Sequence, residues 1–337
     1  MTRSDFAKIL HSIVIPEGTP PNDINAMVQP ISKAISQMMP SSLFRYRRYN
    51  KRQVDAFRND TIYAVTANMF NDPYDMLVRF DQEAIKIKVS SIVNCKTLEA
   101  MRPWFAAGND FPDAIKQILP AEALDDFKSR LASVDIDSVK DRIDDSRGLM
   151  LSLIDIWFPI LAEASKKNST MACFSESIQS VLMWSHYADS HTGFALEYDF
   201  RPTQNAIKNA ALLPVIYEEE RLDASLYLGW VFLKFLGVPV SNPDITAHFK
   251  IALHKSVLWE YEKEWRIIDF TPGDFADSNR VSSIQQKPIA IYYGRHISPE
   301  NKNILHQIAQ EKGIREYDMY IDYSSPLFEM KYRDSTF

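Results

Sequence analysis

The sequence has little glycine and cysteine, and it lacks the short motifs that identify the commonest nucleotide-binding and hydrolytic enzymes. Of its 337 residues, nine are glycine and two are cysteine. It contains no GxGxxG or GxxxxGK[ST] segment, so neither a Rossmann fingerprint nor a P-loop supports a nucleotide site. It also contains no HExxH or GxSxG segment, the usual signatures of a zinc protease and of an α/β-hydrolase nucleophile.

The two cysteines, Cys95 and Cys173, allow at most one disulfide bond. No CxxC pair or Cys/His spacing typical of a zinc site accompanies them. We therefore expect both to be buried thiols that pack as small hydrophobic side chains, and we expect no metal site.

Long uninterrupted apolar runs are also lacking. The segment from Leu226 to Val240 is apolar, but Gly229, Lys234 and Gly237 interrupt it, so we do not expect it to span a bilayer. The first residues are charged throughout, without the apolar core of a signal peptide. These features predict a cytoplasmic protein with no membrane partner.

Composition excludes few other classes. Apolar residues make up 46% and charged residues 24%, the mixture typical of a soluble globular protein. The net charge of −6, with basic and acidic residues interspersed, argues against a dedicated surface for duplex nucleic acid.

Hydrophobic periodicity predicts an α+β fold. About seven or eight short strands, mostly separated by connections longer than a two-residue hairpin, indicate a mixed or antiparallel central sheet. We expect residues 1–40 to be an N-terminal helical extension and residues 41–337 to be a single α+β domain, with 88–167 as a helical insertion. Residues 244–258 are also predicted to form a helix, because Phe249, Ile251 and Leu253 alternate with polar residues.

Polar and aromatic residues cluster on three predicted strands and one loop. The loop, Asn71-Asp72-Pro73, follows a strand and forms either a well-made turn or part of a site. The strand clusters are Arg45 to Arg48 around Tyr46, Cys173-Phe174-Ser175 with the following Trp184, His186, Tyr187 and His191, and Glu262-Lys263-Glu264 with Arg266.

The carboxylates of Glu262 and Glu264 lie two residues apart, so on a strand both would point to the same face. Paired carboxylates repel each other unless a cation lies between them, and Arg266 is the nearest candidate. The pattern suits either a salt-bridge ladder or an acid–base site. His186 and His191 are five residues apart, which is not the spacing of a helix-borne metal pair, so each is expected to be a hydrogen-bonded core histidine.

Several of these segments, taken in order, resemble the bacterial domain-of-unknown-function family 2971. The matching motifs are FNDPxD at Phe70 to Asp75, CFSE at Cys173 to Glu176, MWxHYA at Met183 to Ala188 and YExEWR at Tyr261 to Arg266. With the strand at Leu43 to Tyr46 included, the resemblance covers roughly Leu43 to Gly294. The family resemblance by itself implies no function.

A more distant resemblance, to ADP-ribosyltransferase-like domains, implies a mechanism. Those domains carry a basic residue on a first strand, a serine motif on a second, and an ExE pair on a later strand. Here the matches are Arg45, Ser175 and Glu262-Lys263-Glu264, with Arg47 and Arg48 as alternatives for the first position. The second motif departs from the pattern, because Cys-Phe-Ser stands where those transferases have Ser-Thr-Ser.

The resemblance implies NAD as substrate and assigns a role to each residue. Arg45 would hold the pyrophosphate, Ser175 would orient the nicotinamide ribose, and Glu264 would bind the ribose hydroxyl and stabilise the developing positive charge. Glu262 would activate the acceptor, a protein or a nucleic acid, and Tyr187 or Trp184 would stack on the nicotinamide. Neighbouring residues expected to contact the nucleotide are Tyr46, Asn71, Asp72, His186 and Arg266.

The leading interpretation is therefore an NAD-using, ADP-ribosyltransferase-like enzyme, with a role as a bacterial toxin or phage-defence effector by analogy. A second interpretation is a non-catalytic ligand- or protein-sensing module of a defence system. A metal-dependent nuclease built on Asp72, Asp75 and Glu264 with Lys263 is the third.

Overall fold

The fold is α+β, as the sequence predicts. The computed structural model describes residues 1–92, 94–111, 116, 121–167, 169–202, 210–235, 241–269 and 281–336. The helices are α1 (Arg3–Ser12), α2 (Pro21–Met38), α3 (Lys51–Arg58), α4 (Gln82–Ile92), α5 (Cys95–Ala106), α6 (Ala121–Ser133), α7 (Lys140–Ala164), α8 (Val181–Tyr187), α9 (Ser225–Phe235), α10 (Ala247–Leu253) and α11 (Pro299–Lys312).

Twelve strands occur in the described part of the chain, more than the seven or eight expected from sequence. They are β1 (Leu43–Arg47), β2 (Thr61–Thr66), β3 (Thr170–Ser175), β4 (Phe194–Tyr198), β5 (Ala210–Pro214), β6 (Ile216–Glu218), β7 (His254–Ser256), β8 (Glu264–Asp269), β9 (Val281–Gln285), β10 (Ala290–Tyr293), β11 (Arg315–Ile321) and β12 (Met330–Asp334).

Ten of these strands form one mixed, mostly antiparallel sheet. Its main path runs β12-β11-β10-β4-β1-β3-β2-β9, while β8 pairs with both β3 and β5. The β10–β11 pair is parallel and is connected by α11, which begins at Ser298-Pro299 and ends at Gly313, a residue in the left-handed conformation. Strands β6 and β7 form a separate parallel pair.

The sheet forks at β3. One edge of β3 pairs with β1 at Ser175, and the same edge pairs with β2 at Thr170 and Met171. Between these contacts, β1 and β2 diverge, because β1 continues toward β4 and β2 toward β9. The other edge of β3 pairs with β8 over its whole length. The fork opens the sheet beside Arg45 and Ser175.

The N-terminal helices pack into the same core as the sheet. Phe6, Ala7 and Leu10 of α1 are buried with residues from β3, β4 and β8. Thr2 and Asp5 form a capping box that fixes where α1 begins. The side chain of Arg3 donates hydrogen bonds to the carbonyl oxygens of Glu264 at 2.8 Å and Val215 at 2.7 Å. Helix α1 is therefore anchored directly to β8.

The predicted helical region between residues 88 and 167 begins within α4 and contains α5 to α7, and some of its residues lie outside the described ones. The segment Asp137–Lys167 is long and apolar enough to cross a membrane, by length and composition alone, although one such helix is weak support for a span. Ile154 and Phe158 pack into the main core, whereas Ile156 and Ile160 are exposed. The apolar segment noted in the sequence, residues 226–240, forms α9 as far as Phe235, and residues 236–240 are outside the described part.

Two predictions made from sequence near the YExEWR motif were wrong. The helix expected over residues 244–258 ends at Leu253, and His254–Ser256 form strand β7. Glu262 does not share a strand with Glu264, because it ends a 3-10 helix over Val257–Glu262 and Lys263 follows with a left-handed φ of 45°. A strand requires a negative φ, so Lys263 interrupts the alternation.

Close packing of backbone segments explains why residue 193 is a glycine. Gly193 lies between α8 and β4, and a Cβ at this position would be 2.1 Å from the carbonyl oxygen of Arg47. The Arg47 carbonyl oxygen is a backbone atom, and the backbone of Gly193 is held in place because its N–H donates to Ala188 O at 2.8 Å. Gly148, in α7, has no atom within 4 Å of an added Cβ.

The two glycines should therefore respond oppositely to alanine. Gly193→Ala should lower the free energy of unfolding by about 2 kcal/mol or more, because backbone must move to admit the methyl group. Gly148→Ala should raise it by about 0.5–1 kcal/mol, because alanine restricts the unfolded chain and favours the helix. Urea unfolding of both variants tests the pair, and equal effects would contradict the close approach.

Candidate functional site

A cavity of about 330 Å³ lies at the fork of the sheet. Its walls come from β1, β3, the loop after β2, α8 and the start of β8. Its lining includes three arginines from β1 and the residue after it, and it also includes Lys255 with the carboxylates of Asp75, Glu262 and Glu264. The four predicted catalytic residues, Arg45, Ser175, Glu262 and Glu264, all contribute to its lining.

Strand register brings two of these residues together. Ser175 is the Cα partner of Phe44 on β1 and of Glu264 on β8. Directly paired residues of antiparallel strands point to the same face, so Ser175 and Glu264 share a face of the sheet. Cys173 and Arg266, also paired, lie on that face two residues along.

A fully buried guanidinium lies beneath the cavity. Arg266 donates all five of its N–H groups, which is every donor that the side chain has. Its Nε and Nη2 contact Glu264 at 2.7 and 3.1 Å, and Nη1 and Nη2 contact Asp75 at 2.9 and 2.6 Å. The fifth bond, 2.7 Å long, joins Nη1 to Ala252 O. Arg266 was expected to contact a nucleotide, but no N–H is left to do so.

The cation between the two glutamates is Lys255, not Arg266 as the sequence suggested. Its Nζ lies 2.6 Å from Glu262 Oε2, 3.0 Å from Glu264 Oε2 and 3.6 Å from Asp75 Oδ2. The carboxylates therefore converge as expected, although by a turn rather than by strand alternation. Asp75, Lys255, Glu262, Glu264 and Arg266 are hereafter the buried ion network.

The network separates the acidities of its two glutamates. Burial raises the pKa of Glu262 to about 7, and the negative charge of Glu264 acts in the same direction. Burial would also raise the pKa of Glu264, but Arg266 and Lys255 outweigh it and hold that pKa well below its usual range. Two nearby carboxyl groups with separated pKa values are the arrangement by which enzymes divide acid–base and electrostatic roles.

Arg45 is a buried cation without a carboxylate partner in the described residues. Its Nη2 donates to Tyr63 O at 2.5 Å, its guanidinium lies 5.5 Å from the Phe174 ring centroid, and its buried Nε has no hydrogen-bond partner. Burial lowers the pKa of Arg45 to about 10, so the side chain is still cationic at neutral pH. A buried charge without a counter-ion is costly, which makes this side chain a candidate for binding an anion.

Ser175 fastens the turn that carries Glu262. Its Oγ donates to Glu262 O at 2.6 Å and accepts from the Ser177 N–H at 3.2 Å. The hydroxyl proton is therefore already used, and only lone-pair density faces the cavity. Ser175, predicted from sequence as a site residue, lines the cavity, and the structure adds this positioning role.

Helix α8 contributes side chains to the cavity wall and also a fully buried tryptophan. Tyr187 lines the cavity, donates to Glu262 Oε1 at 2.5 Å and accepts from Asn71 Nδ2 at 3.1 Å. His186 lies on the exposed rim. Trp184 is fully buried, donates to Ile178 O at 2.7 Å and is not part of the cavity lining. The expected stacking role is therefore open to Tyr187 but not to Trp184.

The structure also shows the positions of the other residues near the site, one of which, Lys255, the sequence prediction missed. Tyr46 lines the cavity and donates to Ser177 O at 2.5 Å. Asp72 lies off the lining, and its Oδ1 accepts from the Tyr74 N–H at 2.9 Å, as a turn former does. Its neighbour Asp75 belongs to the ion network instead. Lys255 was missed because it was assigned to a helix; its signal was the alternation of His254, Lys255 and Ser256 just before the YExEWR motif.

The raised pKa of Glu262 predicts a pH-dependent difference in stability between wild type and a variant that cannot ionise. Between about pH 4.5 and about pH 7 the folded protein holds a proton that the unfolded chain has lost, so wild-type stability falls as pH rises through this window. Glu262→Gln cannot ionise. Its free energy of unfolding relative to wild type should therefore increase between about pH 5 and about pH 8.

Urea unfolding at both pH values measures the change. The control is Glu260→Gln, which removes the same charge from an exposed position on the same 3-10 helix. Its difference from wild type gives the effect of removing one exposed charge from this helix. A Glu262→Gln difference that is constant with pH would contradict the assignment.

Comparison with known proteins identifies one relationship. Searches of curated proteins and of solved structures gave no match. A family model described as "Protein of unknown function (DUF2971)" matches residues 183–267, from α8 through Lys255 and the glutamate turn into β8. Arg45, Asn71 and Ser175 lie outside the matched segment. Over residues 183–267 the match supports the resemblance to DUF2971, a family of unknown function, and the FNDPxD and CFSE motifs lie outside it.

Proposed function

We propose that the protein is an NAD-using, ADP-ribosyltransferase-like enzyme, with the cavity at the sheet fork as its active site. The observation that carries the proposal is that arginines without an ion-pair partner and paired carboxylates line the same cavity. Arg45, Arg47 and Arg48, the arginine part, form no ion pair in the described residues, whereas Glu262 and Glu264, the carboxylate part, are paired with Lys255 or Arg266. A dinucleotide matches this combination, since its pyrophosphate is anionic and its ribose becomes cationic during reaction.

The arginine part would bind the pyrophosphate. A phosphate oxygen at Arg45 would satisfy its free Nε and neutralise a buried charge. Arg48 is exposed and Arg47 half-buried, so both can reach phosphate groups that extend out of the cavity. A cavity of about 330 Å³ is at the small end of ligand pockets, and it suits the reacting half of the dinucleotide.

The carboxylate part would stabilise bond cleavage. When the bond between ribose C1′ and the nicotinamide nitrogen breaks, its electron pair leaves with nicotinamide and positive charge develops on the ribose. Glu264 stays ionised at neutral pH. With Glu262 ionised, the three carboxylates of the network exceed its two cations by one charge. That net negative charge favours the cationic transition state.

Glu262 would then receive the proton of the acceptor. An acceptor hydroxyl or amine, or water in a hydrolytic reaction, attacks C1′ and transfers its proton to the Glu262 carboxylate. A carboxyl group with a pKa of about 7 is well matched to general-base catalysis near neutral pH. Tyr187 holds the other oxygen of Glu262 and presents its ring as the surface on which nicotinamide would stack.

The biological setting is proposed from the resemblance alone. Enzymes of this class that consume NAD or modify a macromolecule suit a role as a toxin or phage-defence effector in the bacterial cytoplasm. The acceptor would be a protein or a nucleic acid.

Turnover of NAD should depend on both glutamates. Glu262→Gln should reduce the release of nicotinamide by about 10²-fold or more, because the general base is lost. Glu264→Gln should reduce it by about 10²–10³-fold, and it should also destabilise the fold, because Lys255 and Arg266 lose part of their counter-charge. Release of nicotinamide from NAD by the full chain is the measurement.

Glu260→Gln is the matched control and should retain wild-type turnover. Glu262→Gln keeps the test decisive if Glu264→Gln does not fold, because glutamine resembles the protonated glutamate. Turnover by Glu262→Gln equal to wild type would overturn the proposed mechanism.

Binding of NAD should depend on the exposed arginine of the cavity. Arg48→Ala should weaken NAD binding by about two- to fivefold at low salt, as expected for one exposed charge contact. The difference should shrink as salt is added, because salt screens exposed charges. Arg333→Ala, which removes an exposed arginine elsewhere, is the control for calorimetric titration, and an equal loss in both variants would argue against the phosphate site.

A non-catalytic ligand-sensing role is the second candidate. It is favoured by one observation: both oxygens of Glu264 already accept hydrogen bonds from Lys255 or Arg266, which reduces the charge available to a substrate. Saturable NAD binding without nicotinamide release would support this role. The nuclease interpretation is less favoured, because Lys255 and Arg266 occupy the space between the carboxylates where metal ions would bind.

A further inference from the structure

A second polar cluster lies on the opposite side of β7 from the ion network. His254 and Lys255 are consecutive strand residues, so their side chains point to opposite faces. Lys255 contacts the glutamates, and His254 faces His11 at the end of α1 and Glu218 of β6. Register explains the grouping, because His254 pairs with Ile216 and strand alternation places Glu218 on the same side.

The three possible ligand atoms of this cluster lie close together. His11 Nε2 and His254 Nε2 are 2.9 Å apart, and His254 Nε2 is 3.4 Å from Glu218 Oε2. All three ligand atoms lie within 4.8 Å of one another. Metal–nitrogen bonds of about 2.0–2.1 Å and metal–oxygen bonds of about 2.0–2.2 Å can span the 2.9 and 3.4 Å separations at His254 Nε2.

The hydrogen bonds of His254 leave a lone pair aimed into the cluster. Its Nδ1 lies 2.5 Å from Lys250 O, a contact in which Nδ1 must carry the proton. With neutral His254, Nε2 is therefore an acceptor. A backbone carbonyl that fixes the tautomer in this way is the usual outer partner of a metal-ligating histidine.

Without a cation, the contacts of this lone pair are unfavourable. His11 can donate one proton to His254 Nε2, but Glu218 then presents a carboxylate oxygen to the same acceptor at 3.4 Å. A doubly protonated His254 would remove this conflict only by placing a charge on a side chain that is 4% exposed. A bound cation satisfies all three groups at once.

We propose that His11, Glu218 and His254 bind a divalent transition-metal ion, with Zn²⁺ as the best fit. Two imidazoles and one carboxylate are ligands that Zn²⁺ accepts, and a solvent molecule completes four-coordination on the exposed side of His11. The ion joins α1 to the β6–β7 pair. It thereby also fixes the strand that carries Lys255 into the cavity.

The sequence gives no sign of this site, because 243 residues separate the two histidines and no local spacing connects them. The opposite face of α1 is buried in the core through Phe6 and Leu10, which holds His11 in place. The proposal does not depend on NAD chemistry, and its test does not use activity.

The decisive variant is His11→Ala, because His11 is exposed and its loss should leave the fold intact. Full-length protein freed of metal by chelation should bind about one Zn²⁺ in calorimetric titration, and His11→Ala should bind at least about tenfold more weakly. Co²⁺ in place of Zn²⁺ should give the intense visible absorption of a tetrahedral site in wild type but not in the variant. His296→Ala, which removes an exposed histidine elsewhere, should behave as wild type.

Thermal unfolding provides an independent readout. Zn²⁺ should raise the wild-type Tm through its binding to the folded state, and the rise should be lost in His11→Ala. Absence of saturable Zn²⁺ binding by wild type, or equal binding by wild type and His11→Ala, would overturn the proposal and leave the cluster as a histidine–histidine hydrogen bond.

Discussion

The structure around the cavity depends on the saturation of one buried guanidinium. Arg266 cannot lose its charge, and its fully buried side chain requires a partner for each N–H group. Asp75, Glu264 and Ala252 O supply those partners from three separate parts of the chain. The loop after β2, the start of β8 and the end of α10 are thereby held in fixed positions relative to one another.

This constraint also fixes the second cation. Arg266 positions Asp75 and Glu264. Lys255 of β7 then contacts one carboxylate oxygen of each. Lys255 in turn holds Glu262, whose backbone carbonyl is fastened by Ser175. The catalytic interpretation and the structural interpretation of the paired glutamates are therefore not exclusive, because the same ion pairs that hold the turn also separate the acidities of Glu262 and Glu264.

The fork in the sheet explains why a polar cavity forms beside a well-packed core. Where β1 and β2 diverge, one edge of β3 lacks a paired strand, and the Arg45 side chain donates from β1 to Tyr63 O of β2. The cavity at this divergence is lined by three arginines and by both glutamates.

The sequence by itself determined the α+β class, the strand at β1, and the collection of Arg45, Ser175, Glu262 and Glu264 into one candidate site. Those features follow from local periodicity and from short polar motifs that stand out against apolar strands. Only the tertiary structure decided that Lys255 bridges the glutamates, that Arg266 and Trp184 are fully occupied within the fold, and that His11 meets His254. Each of these contacts joins residues far apart in sequence through the register of strands and the packing of α1, which no local pattern encodes.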